Sequence, residues 1–181
     1  MSKIIYLVGD VESDAAAPGV VSKNYDFGQT LGSMFEFAVV DLETDRSFYG
    51  QLKPISEYYE EDRLTACGRT REETMLFPQA QKTMNDFVRW LESFGGSKIK
   101  YYSDNNGYDW MFMCWYLITF TEHNPMGHNS HNIADLYQTV HKKGPLSFVH
   151  LKTQPHTHHP LDDARGNAGA LRKMIEMGLI L

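Results

Sequence analysis

The chain has 181 residues, of which 42% are hydrophobic and 22% charged, ordinary globular values with enough length for one substantial core. Two cysteines, Cys67 and Cys114, exclude a disulfide framework, and the longest apolar run, around residues 110–120, is too short and too polar-flanked to span a membrane. A net charge of −6 argues mildly against a nucleic-acid partner, which usually wants a basic face, and with no basic-then-apolar leader before Ile4 a soluble, cytoplasmic protein is expected.

A hydrophobic run over residues 3–9 predicts the first strand, with acids at Asp10 and Glu12 where it leaves the core. Residues 14–28, containing Ala15-Ala16-Ala17-Pro18-Gly19, read as a loop bordering that strand end. Strands follow over residues 35–42 and 47–53, joined by a hairpin-sized turn at Glu43-Thr44-Asp45-Arg46. A helix over residues 78–94 takes its apolar face from Phe87, Val88, Trp90 and Leu91 and is stopped by Gly95-Gly96. A strand over residues 98–103 precedes helices over 108–121, 133–142 and 161–177. Three early strands followed by mixed elements predict an α/β fold, a mixed central β-sheet flanked by α-helices, in a single domain over residues 1–181. There is no internal repeat and no low-complexity linker.

Three places along this order carry chemistry. In a strand, residues two apart share a face, so Asp10 and Glu12 project together. Paired carboxylates repel, and a hard cation such as Mg²⁺ or Mn²⁺ between them relieves that; solvated surface acids are the plainer reading. Asp109 stands at a strand-to-helix junction before a long apolar stretch, where burial without a partner would be costly. A helix N-cap would also explain it, and Asp104 competes for the same loop. Near the C-terminus, His156-Thr157-His158-His159-Pro160-Leu161-Asp162-Asp163 leads into Ala168, Leu171, Met174 and Ile175 at helical spacing. Pro160 suits a first turn, and Asp162 and Asp163 suit its positive end. His158 precedes Asp163 by five, which sets a loop imidazole beside a first-turn carboxylate.

In order, these read Asp-x-Glu (Asp10, Glu12), Asn-x-x-x-Asp (Asn105, Asp109) and His-x-x-x-x-Asp (His158, Asp163). The pattern, spread over nearly the whole chain, resembles the DEDD superfamily of 3′–5′ exonucleases, in the subclass with the histidine, DEDDh. The resemblance implies a ribonuclease H-like fold. It also implies two Mg²⁺ or Mn²⁺ ions held by Asp10, Glu12, Asp109 and Asp163, with His158 as general base. The implied reaction releases nucleoside 5′-monophosphates from the 3′ end of single-stranded nucleic acid. Ser13 stands where the family has Thr and is followed by an extra acid, Asp14; Asp104 stands where a His often precedes Asn105. Ser13 and Asn105 are expected to touch substrate. His159 and Asp162 neighbour the last motif, but only His158 with Asp163 gives the five-residue step with Ala164 directly after the acid. The resemblance is greatest to the compact bacterial and phage members, so RNA is favoured over DNA and a homodimer is possible; an exodeoxyribonuclease remains the alternative.

Two metal ions would cancel much of the acidic charge at such a site, leaving Arg63, Arg69, Arg71, Lys142, Lys143 and Lys152 as candidate phosphate guides. Residues 64–70 occupy the place of the family's substrate-side segment. Aromatic residues, 13% of the chain, are enough to supply base-stacking platforms. Two other classes stay open: a zinc protein using His156, His158 and His159, and a nucleic-acid-binding module of the same fold without turnover.

Overall fold

The computed structural model describes residues 3–20, 31–141 and 147–181. Its centre is β1 (Ile4–Ser13), which alternates so that Ile5, Leu7 and Val11 enter one apolar core and Val8 the other. Short β2 (Ala17–Pro18) and β3 (Leu31–Gly32) pair with each other to one side. In β4 (Met34–Asp41) every residue is buried, as befits a strand covered on both faces. β4 pairs antiparallel with β1 and with β5 (Ser47–Gln51). On the other flank β6 (Lys98–Ser103) runs parallel to β1, and the three-residue β7 (Ser130–Asn132) runs parallel to β6. The sheet order is therefore β5-β4-β1-β6-β7, a mixed sheet as expected.

One face is covered by α3 (Ala80–Glu92) and α4 (Asn106–Phe120). Ala80, Met84, Phe87, Val88 and Leu91 form a buried stripe on α3, and Phe87 meets Phe37 edge-on at 5.1 Å. Burying a phenylalanine this fully contributes roughly 2–3 kcal/mol. On α4, buried Tyr116 accepts a hydrogen bond from the Met34 amide at 2.8 Å, tying helix to sheet. The other face is covered by α5 (Ile133–Val140), a 3₁₀ turn (Phe148–Leu151) and α6 (Pro160–Glu176). Alanines at 164, 168 and 170 let α6 lie close to the sheet. At Gly169 a methyl group would sit 2.4 Å from the Thr153 hydroxyl, so glycine there lets the preceding segment pass against the helix. No helix among the described residues is long and apolar enough to cross a membrane.

Several boundaries differ from expectation for identifiable reasons. β1 runs on to Ser13, because β4 continues opposite it: Asp10 faces Ala38 and Glu12 faces Glu36 in the register. The paired acids therefore belong to a hydrogen-bonded strand and do not follow it. α4 starts at Asn106 with Asn105 at its N-cap position, which puts Asp109 inside the first turn and not at the cap. Two short helices, α1 (Glu61–Ala66) and α2 (Arg71–Thr74), fill a stretch with no predicted element. Lys142, Lys143 and the part of the 14–28 loop from residue 21 lie outside the described residues.

Candidate active site

The sheet delivers its acids to one end. Val8 pairs with Tyr102 in the parallel register of β1 and β6, so two residues further along each chain Asp10 and Asp104 emerge side by side. Asp109 reaches the same place from the first turn of α4, and Asp163 from the first turn of α6. Oxygens of Asp10, Glu12 and Asp163 lie within 4.8 Å of one another, and so do oxygens of Asp10, Asp104 and Asp109. Asp10 belongs to both groups. The four acids expected from the sequence are thus brought together, and Asp104, expected only as a competitor for Asp109's place, joins them.

The electrostatics are unfavourable for a bare cluster. Asp10 and Asp109 are 7% and 2% exposed, and one carboxylate oxygen of each, Oδ2, is buried without a hydrogen-bond partner. Burial, followed by the Asp109 and Glu12 carboxylates, holds the Asp10 carboxyl well above the usual range. Burial, followed by Asp104, does the same to Asp109. Glu12 is also raised, chiefly by burial, with the Cys67 thiol and His158 opposing the shift. Buried oxygens without donors, raised carboxyls and two groups of three oxygen ligands are what a pair of hard divalent cations would satisfy. The donor set fits such ions.

The histidine segment is anchored by the cluster itself. Asp163 accepts hydrogen bonds from the Thr157 and His158 amides, each at 2.9 Å, and its Oδ2 lies 2.9 Å from Nδ1 of His156. His158 takes a left-handed conformation, φ 57°. Its Nδ1 is 3.9 Å from a Glu12 oxygen, and its ring meets that of His156 at 4.2 Å. Both rings border an open cleft of about 510 Å³ that also contains Asp10, Glu12, Asp104 and Asp109. His159 instead stacks on Tyr49 at 5.2 Å and is not part of that cleft. Of the two imidazoles in the cleft, His158 is the one beside Glu12 and His156 the one bonded to Asp163.

Ser13 and Asn105 both border the cleft. The Ser13 hydroxyl donates to the Ala15 carbonyl at 2.7 Å and makes a short contact with the Tyr108 hydroxyl, so it is committed within the protein. Asn105 is exposed, its carbonyl accepts from the Asp109 amide at 3.0 Å, and its side chain makes no capping bond. Among the basic candidates within the described residues, only Arg63 lines the cleft, where it donates to Tyr108 at 3.2 Å and pairs with Glu60. Arg69 is bound to buried Glu36 at 2.5 Å and Arg71 to buried Asp14 at 2.7 Å. Asp14 accepts from the Ser33 amide as well, yet burial lifts its carboxyl to about 6. Lys152, 7% exposed, holds Asp104 at 2.8 Å. Cys67, at the end of α1, points its thiol at Glu12 Oε2 from 3.1 Å. Lys152, expected as a phosphate guide, is instead paired with Asp104, and His156, expected only as a zinc ligand, is bonded to Asp163; Cys67 and Tyr108 are cleft residues to which sequence reasoning gave no individual role.

No protein-family model matches the chain, and no curated protein matches it in sequence. Solved structures do. Cell-death related nuclease 4 superposes with a TM-score of 0.67 at 18% identity over 97% of this chain and 64% of that one. A 3′-exonuclease described in 3′-end specific recognition of a histone mRNA stem-loop gives 0.72 at 14% identity, over 99% and 84%. Escherichia coli exonuclease I in complex with a dT13 oligonucleotide gives 0.66 at 12% identity, over 96% and 41%. The chain thus spans less than two thirds of the first and the last of these proteins. At such identities the likeness is one of fold, the ribonuclease H-like fold expected from the sequence.

Proposed function

We propose that the protein is a 3′–5′ exonuclease of the DEDD type with the histidine, cutting single-stranded nucleic acid from its 3′ end by a two-metal mechanism. The observation that carries this reading is the pair of carboxylate groups sharing Asp10, in which Asp10 and Asp109 each have a buried oxygen without a hydrogen-bond partner. Asp10, Glu12 and Asp163 would hold one Mg²⁺ or Mn²⁺, and Asp10, Asp109 and Asp104 the other. Such ions, when bound, supply charge relief to the phosphoryl and departing 3′ oxygens and make a water molecule more acidic.

The chain's own residues supply the rest. His158 would take the proton of the attacking water as general base, and its Nδ1 lies 3.9 Å from a Glu12 oxygen. The new bond joins water oxygen to phosphorus, the phosphorus–O3′ bond breaks, and the 3′ oxygen takes a proton from solvent to become the hydroxyl of the shortened strand, while His158 returns its proton to solvent. The product is a nucleoside 5′-monophosphate. Arg63, half in the cleft, would meet a phosphate, and Asn105 the terminal sugar or base. RNA is the favoured polymer, on the resemblance of the Asp10-Val11-Glu12-Ser13-Asp14 opening to the compact exoribonucleases.

The test is a time course on 5′-labelled single-stranded RNA and DNA of one sequence, with Mg²⁺ or Mn²⁺, with chelator, and with Asp10→Ala. A ladder shortening from the 3′ end, abolished by chelator and by the substitution, is expected, faster on RNA. Faster shortening of DNA would reassign the polymer, and intact strands under every condition would sink the exonuclease reading.

A further inference from the structure

Cys67 has no part in phosphodiester hydrolysis by hard cations, yet its thiol is placed against the site. It stands at the C-cap of α1, half-buried, and donates to Glu12 Oε2 at 3.1 Å. The other Glu12 oxygen is 3.9 Å from Nδ1 of His158. One ligand atom from each of Glu12, Cys67 and His158 lies within 4.8 Å of the others, all on the cleft wall. The three come from different elements: the end of β1, the end of α1 and the loop before α6.

Thiolate, imidazole and carboxylate together form a donor set suited to zinc, whereas Mg²⁺ and Mn²⁺ prefer oxygen ligands. Around a tetrahedral zinc ion, with bonds of about 2.0 Å to N and O and about 2.3 Å to S, neighbouring ligand atoms are about 3.3–3.5 Å apart. The 3.1 and 3.9 Å separations run to the two different Glu12 oxygens and straddle that range, and with a single atom from each residue the three lie within 4.8 Å of one another. We propose that Glu12, Cys67 and His158 form a zinc site that shares Glu12 with the Asp10–Glu12–Asp163 group and is completed by sulfur and nitrogen donors, with the fourth position open to the cleft. The thiol proton is released to solvent as the zinc–sulfur bond forms. If the hydrolytic reading above holds, on which this consequence rests, zinc removes Glu12 and His158 from the reaction and acts as an inhibitor whose potency depends on Cys67.

The test uses the whole reduced protein, freed of metal and titrated with Co²⁺. A thiolate-to-cobalt charge-transfer absorption is expected in the wild type and in Cys114→Ala, and not in Cys67→Ala or Cys67→Ser. Competition with Zn²⁺ should show at least a tenfold weaker site in both Cys67 variants, since even indirect supports of a metal site are worth about 10–100-fold. Circular dichroism checks that the variants remain folded. A wild-type spectrum without the charge-transfer band, or a band that survives loss of Cys67, overturns the proposal. Zinc should also stop strand shortening at lower concentration in the wild type than in Cys67→Ser, and equal sensitivity would refute the inhibitory role. If the wild type cuts nothing with Mg²⁺ or Mn²⁺, the exonuclease reading fails, while the cobalt spectrum still decides the zinc site.

Discussion

Replacing Asp10 by Asn should stabilise the metal-free protein, the reverse of what a substitution at a buried position usually does. Asp10 is shared by both carboxylate groups, whose oxygens lie within 4.8 Å of one another. At that distance an ionised pair repels by about 3.5 kcal/mol for an effective dielectric of about 20. The carboxyl can escape part of this by keeping its proton, which limits the cost at pH 7. Measured from an unfolded pKa near 3.9, holding a proton at pH 7 costs about 4 kcal/mol. A gain of about 2–4 kcal/mol is therefore expected, a rise of about 4–16 °C in melting temperature for a chain of this size.

The sign of the pH dependence follows from the same groups. Asp10 and Asp109 are raised on folding, so the folded state binds more protons than the unfolded one. Their stabilising contribution is complete below about pH 4 and is lost as pH rises through the folded values. Asp14, lifted to about 6, acts in the same direction between about pH 4 and 6. The assay is thermal unfolding followed by circular dichroism across pH 4–8, with chelator and again with Mn²⁺. Saturating Mn²⁺ should reverse the order, since the wild type gains binding free energy that Asp10→Asn forfeits. A lower melting temperature for Asp10→Asn in chelator at pH 7 would refute the repulsion argument outright.

Other expectations are narrower. His158→Ala should lower the rate of strand shortening by about 10²–10⁴-fold if it is the base, with Mn²⁺ affinity kept; an equal loss in His156→Ala alone would move the role to His156. Lys152→Met removes a buried cation from beside Asp104 and should destabilise the metal-free protein by about 1–3 kcal/mol, below the usual 3–5 for breaking a buried pair because Asp104 is a quarter exposed. That loss should shrink in Mn²⁺, and a constant loss would mean that Lys152 serves packing alone. Gly9→Ala would place a methyl 2.4 Å from the Tyr101 hydroxyl and 2.5 Å from its ring. Overpacking of about 1–3 kcal/mol or more is expected, with weaker Mn²⁺ binding because Asp10 is the next residue; calorimetric titration of Mn²⁺ would reveal it.

What could be read from the sequence was carried by short spacings. The two-residue step from Asp10 to Glu12, the five-residue step from His158 to Asp163 and the Pro160 start of α6 all depend on local geometry, and the structure assembles them. Longer-range partners left no local trace. Asp104 joins Asp10 through the β1–β6 register, and Lys152 meets Asp104 across 48 residues. The helices α1 and α2 have six and four residues, too few for a hydrophobic period. They are held by the Arg69–Glu36 and Arg71–Asp14 pairs, which no sequence pattern announces. One signal was available: Thr70 and Glu73 form a capping box, legible as Thr-x-x-Glu. The polar edge strand β7, Ser130–Asn132, has no apolar alternation to betray it.

Asp163 has two allegiances, to the acids around Asp10 and to the amides of Thr157 and His158. Its orientation is a variable common to cation affinity and histidine placement. By linkage, whatever fixes the loop must tighten the cation there, and by the same factor the cation must favour the fixed loop. A strand lying against His158 would therefore recruit metal, and metal would recruit the strand.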